Sequence, residues 1–391
     1  MVDLVRIYLA PFARWVSTGV LAVAAVCSAV ASPGDETLQG VKAVARLKEQ
    51  GSYDSLVAAA AAAGYSSNSP ATALWQQQRR LTSQTGAAVH DSFGWAVALS
   101  GNRAIVGATE DYAPQSGNHL GSAYIFLRTG SQWTQQAKLI PPNGASFARF
   151  GWSVAISGDV AVIGAPFGGD QRGVAYIYAF DNGQWNLQAQ LTGVAANDRF
   201  GYSVGVSADA AIIGSYPVGA GRTQGFAYVS TRSGATWSAG VPLTATDQTA
   251  GTIFGFSVAL SGNTAVVGAA GRDGAAHVFV QSGTTWSQQG PKLTRPGAVD
   301  NDFFGGSIAL SGDTAIVQFE NTLNVGGTRG AYFYIRASQA WSEQQHILEP
   351  RATSKLGRVG ISGETAIVGI SILARNNAAW SVPTPRISDR T

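Results

Sequence analysis

The chain has 391 residues, of which 45% are hydrophobic, 13% are charged and 48 are glycine. That composition excludes a disordered chain and is typical of a turn-rich β-protein with extensive buried faces. The formal charge of +3 is too small to indicate a nucleic-acid partner or attraction to an anionic membrane surface.

Residues 1–31 have the pattern of an export signal. Arg6 and Arg14 precede the apolar run from Trp15 to Val30, and Ala29-Val30-Ala31 offers small residues for cleavage. The alternative is a membrane anchor, but the run is shorter than the roughly 20 apolar residues that a spanning helix needs. We therefore predict an exported protein that is secreted, periplasmic or associated with the cell envelope. Its mature chain has no predicted membrane span.

Residues 32–71 are predicted to form a short helical region followed by a linker. Apolar residues recur at helical spacing between Glu36 and Gln50, and the run of alanines from Ala58 to Ala63 favours a second helix. We interpret this region as a tether, with a docking hairpin or stalk as the alternative.

From residue 93 onward, a Phe-Gly pair returns at steps of 50 to 57 residues. The pairs are Phe93-Gly94, Phe150-Gly151, Phe200-Gly201, Phe254-Gly255 and Phe304-Gly305, followed by the weaker Leu356-Gly357. A period of this length indicates stacked supersecondary units rather than one irregular domain.

Each unit contains the signals of four short strands. A Ser-Gly-Asn or Ser-Gly-Asp turn, as at Ser100-Gly101-Asn102, joins two apolar runs and predicts an antiparallel hairpin. A third run leads from glycine to an aromatic residue, as in Gly121 to Tyr124. A fourth leads from tryptophan to leucine, as in Trp133 to Leu139. The predicted fold is all-β, a β-propeller of four-stranded antiparallel blades over residues 72–391, with six blades and seven as the alternative.

A fourth-strand pattern also stands alone before the first complete unit. Trp75 to Leu81 matches it, whereas the last unit, which begins at Leu356, lacks a clear outer strand. We predict that residues 72–82 add the outer strand to the last blade and close the ring.

Phe150-Gly151 is followed by Gly164-Ala165-Pro166, and that combination resembles the FG-GAP repeat. The resemblance covers residues 72 to about 371 and extends to the head of integrin α-subunits and to exported bacterial proteins. It implies an extracellular or envelope module for adhesion or ligand recognition, commonly with seven blades and often with calcium-binding loops.

The calcium loops that the resemblance implies are poorly supplied with oxygen ligands here. The corresponding loops hold Glu110 and Asp111 together, but elsewhere only Asp170, Asp273 or Glu320 alone. Calcium requires several oxygen ligands, so we predict no metal site and no cofactor. The only cysteine, Cys27, lies in the predicted signal, which excludes disulfides from the mature chain.

The aromatic residues that follow the Phe-Gly pairs have two interpretations. A stacking platform for sugars is one. The other is packing inside the blades, because these residues share strand parity with the preceding phenylalanine. We predict packing for this set: Trp95, Trp152, Tyr202 and Phe256.

Acidic residues and histidines near the pairs are assigned structural roles. Asp91, Asp198 and Asp302 stand two residues before a repeat phenylalanine and are predicted to cap the turn into the first strand. His277 replaces the recurring tyrosine of the third strand and is predicted to pack there.

The loops between the second and third strands vary most among the units, and variable loops on a rigid scaffold are where recognition usually occurs. The candidate ligand-binding residues of this rim are Tyr112, Phe167, Arg172, Tyr216, Arg222 and Arg272.

No nucleophile elbow, phosphate-binding loop or catalytic cysteine occurs, so we predict no enzyme. The predicted function is a non-catalytic recognition or adhesion module that binds a protein or carbohydrate at the cell surface. The alternatives are a propeller hydrolase or lyase with a site in the central channel, and a structural component of an envelope assembly.

Overall fold

The computed structural model describes residues 5–8, 77–83, 91–113, 118–142, 148–169, 171–218, 225–247, 251–271, 274–297, 302–320, 328–350, 358–369, 371–376 and 379–381. Within these ranges the chain contains no helix, and so none with the length and apolarity to cross a membrane. The chain divides into two compact units. Residues 1–7 with 79–391 form the larger unit, and Tyr8–Gln78, which lies almost wholly outside the described residues, forms the smaller one.

The strands form six blades and two small sheets. A two-stranded sheet joins β1 (Val5–Tyr8) to β2 (Gln77–Leu81). Blade one contains β3 (Phe93–Ser100), β4 (Arg103–Ala108), β7 (Ser122–Thr129) and β8 (Gln132–Leu139), with the small hairpin β5 (Tyr112–Ala113) and β6 (Asn118–His119) between β4 and β7. Blade two contains β9 (Ser153–Ser157), β10 (Val160–Ala165), β11 (Val174–Asp181) and β12 (Gln184–Thr192).

Blade three contains β13 (Ser203–Ser207), β14 (Ala210–Gly214) and β15 (Ala227–Ser233), and its outer strand is split into β16 (Thr236–Trp237) and β17 (Val241–Leu243). Blade four contains β18 (Thr252–Ser261), β19 (Thr264–Gly271), β20 (Ala275–Ser282) and β21 (Thr285–Gln288). Blade five contains β22 (Ile308–Ser311), β23 (Thr314–Glu320), β24 (Thr328–Ala337) and β25 (Ala340–Pro350). Blade six contains β26 (Val359–Ser362), β27 (Thr365–Val368), β28 (Ser371–Asn376) and β29 (Ala379–Ser381). The predicted six-bladed propeller is confirmed.

The cores of the molecule lie between neighbouring blades. Phe150 of blade two is fully buried against Ile105 and Ile125 of blade one, together with Ile163 and Tyr176 of its own blade. Each of the four junctions that follow has a similar apolar cluster. Successive side chains of a strand point to opposite faces of the sheet. A second or third strand that is apolar throughout therefore packs into the cores on both sides of its blade. Five strand-four tryptophans join these clusters: Trp185, Trp237, Trp286, Trp341 and Trp380.

Neighbouring blades approach closely where the Phe-Gly pair of one meets the second strand of the other. A Cβ atom at Gly164 would overlap the carbonyl oxygen of Gly201 in the next blade. The Ser153 hydroxyl donates to that same oxygen at 2.8 Å. Two further junctions repeat this bond, from Ser203 to Gly255 at 2.8 Å and from Ser257 to Gly305 at 2.7 Å. The serine of the repeat therefore bonds one blade to the next.

A second series of serine bonds joins the other ends of the first strands. In each hairpin turn the serine hydroxyl accepts the backbone N–H of the corresponding turn residue in the next blade, at distances of 2.8 to 3.4 Å. All five junctions from blade one to blade six have this bond. It is not continued from Ser362 of blade six to Gly101 of blade one among the described residues, and Val97 and Leu99 of β3 are exposed beside this break.

The predicted closing strand is wrong. Blade six has its own outer strand, in which Trp380 stacks on Phe333 with ring centroids 5.1 Å apart. Gln345 also donates to the Trp380 carbonyl at 2.8 Å and accepts its N–H at 2.7 Å. The outer position that residues 72–82 were expected to fill is therefore occupied, and β2 pairs with β1 instead.

The serine that bonds neighbouring blades is expected to contribute measurably to stability. Ser153→Ala leaves the buried Gly201 carbonyl without this donor, and we expect the free energy of unfolding to fall by about 1–3 kcal/mol. Blade one provides a matched test because Ala96 stands at the serine position, next to the Gly151 carbonyl. Ala96→Ser should restore the bond and preserve or raise stability. Urea unfolding of the two variants measures both effects, and an unchanged stability for Ser153→Ala would contradict the assignment.

Candidate functional site

One end of the propeller collects the same position from every blade. First strands begin, and second strands end, at this end because the two are antiparallel. Since the first strands are the innermost strands of the blades, their starting residues surround the central axis. We call this end the mouth, and we call the residues that follow the Phe-Gly pairs the mouth column: Trp95, Trp152, Tyr202, Phe256, Gly306 and Arg358.

A strained turn lifts the mouth column away from the blade faces. Arg149 and Arg199, which precede the phenylalanine, have φ values of 52° and 49°, in the left-handed region that non-glycine residues rarely adopt. Their carbonyls accept the N–H of Trp152 at 3.1 Å and of Tyr202 at 3.2 Å. The arginine and the mouth-column residue therefore leave the same turn.

Four residues of the mouth column contact one another in sequence. The ring centroids are 4.7 Å apart for Trp95 and Trp152, 5.6 Å for Trp152 and Tyr202, and 5.4 Å for Tyr202 and Phe256. The indole of Trp95 begins this series, and 47% of that residue is exposed. These side chains form a continuous aromatic surface across four blades.

The prediction that these four aromatics pack inside the blades is wrong. A bulge removes them from the strand ladder: Phe93 pairs with Ala108 and Val97 pairs with Val106, so the residues between them have no regular partner. The parity argument assumed a continuous ladder. The four side chains pack on one another at the mouth, and none of them joins an interblade core.

Two predicted rim residues extend this surface. Phe167 lies 5.4 Å from Trp152, and Tyr216 lies 4.9 Å from Tyr202 and 5.7 Å from Phe256, measured between ring centroids. Both follow the end of a second strand, which brings them to the mouth. We call the combined surface the aromatic arc: Trp95, Trp152, Phe167, Tyr202, Tyr216 and Phe256.

Arginines cover the outer side of the arc. Phe167 lies between the guanidinium groups of Arg149, at 5.0 Å, and Arg199, at 4.8 Å. Arg149 also pairs with Glu110 at 3.3 Å. Arg199 has no carboxylate partner among the described residues, and its buried Nε makes no hydrogen bond there. Among the described residues, its guanidinium therefore contacts the rings of Phe167 and Tyr216 and no acid.

The N–H of Val359 donates to the Ser307 hydroxyl of blade five at 3.2 Å, and the residue before it, Arg358, occupies the mouth-column position of blade six. It acts on the pKa of Tyr202, which burial raises and the charges of Arg358 and Arg199 lower in part. Arg358 has exposed surface, yet desolvation of its guanidinium lowers its own pKa, with Tyr202 opposing that shift. No carboxylate in the described part of the chain pairs with it. Gly306 of blade five contributes no side chain to the mouth column.

Of the other predicted rim residues, the one whose side chain the structure describes, Arg172, does not join the arc. Arg172 is exposed, and its side chain has no ion pair or ring contact within the described ranges. Tyr112 belongs to β5, but its side chain lies outside the described residues, as do Arg222 and Arg272. Sequence reasoning missed Arg149, Arg199 and Arg358. Aligning the units by column identifies Arg358 at the position of Trp95, and it shows Arg149 and Arg199 side by side just before the phenylalanines.

Comparison with known protein families agrees with this architecture. The family model of the FG-GAP repeat matches residues 75–126, 133–178, 185–230 and 237–279. This chain is an FG-GAP β-propeller. The last three matches each begin at a strand-four tryptophan and end in the third strand of the following blade, so the repeat is offset from the blade by one strand. No curated protein matches the chain.

Buried acids of the FG-GAP propeller serve its turns and loops. Asp302 accepts the N–H of Phe304 at 3.1 Å and bonds Arg295 at 2.6 Å, and Asp198 accepts the N–H of Ala195 at 2.7 Å. The predicted capping role is confirmed for Asp302, and Asp198 likewise caps a turn. No group of three or more potential metal ligands occurs in the part of the chain that the structure describes.

A second buried acid, Asp111, belongs to a polar cluster in blade one. It accepts hydrogen bonds from Ser122 and Tyr124 and pairs with Lys138 at 2.8 Å. Burial raises the pKa of Tyr124, so its phenol remains protonated. The carboxylate is fully used in holding the third and fourth strands to the loop, which makes this cluster structural.

His277 packs where the other blades carry tyrosine, as predicted. The residue is 1% exposed, its ring lies 5.4 Å from Phe254, and its Nδ1 lies 3.2 Å from Asp247. Desolvation lowers the pKa of His277 below its ordinary value of 6.5, Asp247 opposes this shift and Lys292 adds to it. The folded protein therefore holds this imidazole neutral.

Stability should depend on His277 in the pH range just below 6.5. In that range His277 binds a proton in the unfolded chain but not in the folded chain. The contribution of His277 to the free energy of unfolding is therefore fully present at higher pH and is lost as the pH falls. His277→Tyr introduces the residue that other blades carry at this position. In that variant the pH-dependent part of the free energy of unfolding should be absent. Urea unfolding at about pH 7.5 and about pH 5.5 measures it. The control is His346→Gln, at a half-exposed histidine bonded to Glu343. Equal pH dependence of wild type and His277→Tyr would contradict the assignment.

Proposed function

We propose that this protein is an exported, non-catalytic recognition module that binds a protein or glycan partner at the mouth of its propeller. The observation that carries the proposal is the aromatic arc. Six rings from four blades form one surface, and the two rim residues Phe167 and Tyr216 belong to it. Aromatic side chains lose little conformational entropy on binding and offer large contact areas, which makes such surfaces effective in recognition.

The scaffold beneath the arc supports the same proposal. Serine hydroxyls and interblade cores hold the turns that carry Trp152 and Tyr202. A surface held in one arrangement before binding requires less ordering when the ligand arrives. The low charge of the chain agrees with a partner that is recognised by shape and local chemistry rather than by a strong field.

The composition of the mouth column favours binding over catalysis. Its six positions hold four aromatics, a glycine and an arginine, and thus no carboxylate, histidine or hydroxyl nucleophile apart from the Tyr202 phenol. General acid–base chemistry needs a group whose pKa lies near the working pH, and burial moves the pKa of Tyr202 further upward.

Export predicts a defined mature terminus. When the full-length gene is expressed in a host with a secretion pathway, the product recovered outside the cytoplasm should begin at Ser32, after Ala29-Val30-Ala31. Intact-mass measurement and N-terminal sequencing test this. An uncleaved protein retained in the cytoplasm would contradict export.

Binding at the mouth predicts a loss on truncating the two rim aromatics. We expect the mature chain to bind members of a glycan and protein array, and we expect Phe167→Ala with Tyr216→Ala to weaken that binding about tenfold or more, because each removes part of a continuous contact surface. The matched control is Leu187→Ala with Val241→Ala, two exposed apolar residues on outer strands.

Two outcomes would contradict the proposal. Equal loss in the control pair would show that the effect is not specific to the mouth. Full binding by the rim variant, with an unchanged melting temperature, would place recognition elsewhere on the molecule.

A further inference from the structure

The mouth combines an aromatic surface, of which Trp95 is 47% exposed, with two cations that have no carboxylate partner among the described residues. Arg199 contacts Phe167 and Tyr216, and Arg358 stands at the mouth end of blade six, where the N–H of the next residue, Val359, donates to the Ser307 hydroxyl of blade five at 3.2 Å. Removing a guanidinium from water without an anionic partner is unfavourable, and a ligand carboxylate placed beside it would offset that cost. The site is therefore complementary to an anion attached to a body that can stack on aromatic rings.

Among the described residues, neither acid beside the arc forms an ion pair with these two arginines. Asp198, next to Arg199 in the sequence, accepts the N–H of Ala195 at 2.7 Å. Glu110 lies at the edge of the arc and pairs with Arg149 through its Oε1. The mouth column itself contains no acid. An anionic ligand therefore meets two available guanidinium groups and no repelling carboxylate among the described residues of the column.

The arrangement of the rings favours a sugar over a nucleobase or a phosphate chain. Successive rings of the mouth column are inclined to one another by 42°, 45° and 50° and are already in contact, so no slot remains into which a flat base could insert. The stepped surface instead fits the C–H faces of consecutive pyranose rings. A chain of net charge +3 also lacks the dense positive field that a polyphosphate requires.

We propose that the mouth of this propeller binds an acidic sugar, a uronic acid residue of a glycan, with its ring face on Trp152 and Tyr202 and its carboxylate paired with Arg199 and Arg358. This inference rests on the proposed recognition function and names its ligand class. The planar guanidinium suits the role because its parallel N–H groups match the two oxygens of a carboxylate.

The experiment compares acids with their neutral esters. Trisaccharides of galacturonic, glucuronic, mannuronic and guluronic acid, and the methyl ester of each, are titrated calorimetrically into the mature chain. At least one acid should bind, and its methyl ester, which keeps the sugar ring and removes the charge, should bind about tenfold more weakly.

Variants separate the two halves of the site. Arg199→Gln and Arg358→Gln should each weaken the acid about tenfold and leave the ester unchanged, whereas Trp152→Ala should weaken acid and ester alike. The matched control is Arg232→Gln, at a half-exposed arginine near the end of a third strand, opposite the mouth, whose Nε donates to the Gly234 carbonyl. Melting temperatures identify any variant that fails to fold, and the two arginine variants provide independent tests.

The outcomes distinguish this inference from the proposed function. Equal binding of acid and ester, or binding that neither arginine variant alters, overturns the acidic-sugar site. No binding of any uronate, with retained and rim-dependent binding of a neutral glycan or an acidic peptide on the array, overturns the ligand class and leaves the recognition function standing. The absence of every rim-dependent ligand overturns both.

Discussion

The close contact between each Phe-Gly pair and the second strand of the preceding blade is the constraint on which this molecule depends. Gly164 and Gly201 have no side chains, so the two backbones meet and the Ser153 hydroxyl can reach the Gly201 carbonyl. The neighbouring phenylalanine then enters the interblade core, as Phe150 does. A single short sequence thus sets the spacing between blades, contributes a bond across the junction and anchors the largest buried side chain.

The same contact also explains where the candidate site lies. The glycine of the pair has a positive φ, and the residue before the phenylalanine adopts the left-handed region as well. Such a turn interrupts the strand ladder, so the residue after the pair is directed to the mouth rather than into a blade. Strain of this kind persists only where the surrounding packing holds it, and here the buried phenylalanine provides that packing. The same turn therefore anchors each blade to its neighbour and directs the aromatic side chains to the mouth.

The sequence allowed the architecture to be predicted and left the site only partly recognisable. Repeating Phe-Gly pairs and Ser-Gly-Asn turns report local backbone requirements, so the blades, their strand order and the packing of His277 followed directly. The closing strand did not, because the short outer strand around Trp380 has too few residues to show a pattern. The arc was missed for a different reason. Alternation along a strand predicts which face a residue occupies only while the ladder is regular, and the bulge between Phe93 and Val97 breaks it. Arg358 lies far from Tyr202 in sequence and is brought near it only by the ring.

The mouth column separates the parts of the repeat that build the protein from the parts that face a partner. Phenylalanine, glycine and serine flank most column positions and are held by packing, whereas the column itself ranges from tryptophan to glycine to arginine within one chain. Six positions can therefore be varied while the surrounding scaffold is kept. A library randomised at those positions alone would explore new specificities without disturbing any interblade core, which makes this propeller a natural starting point for engineered binders.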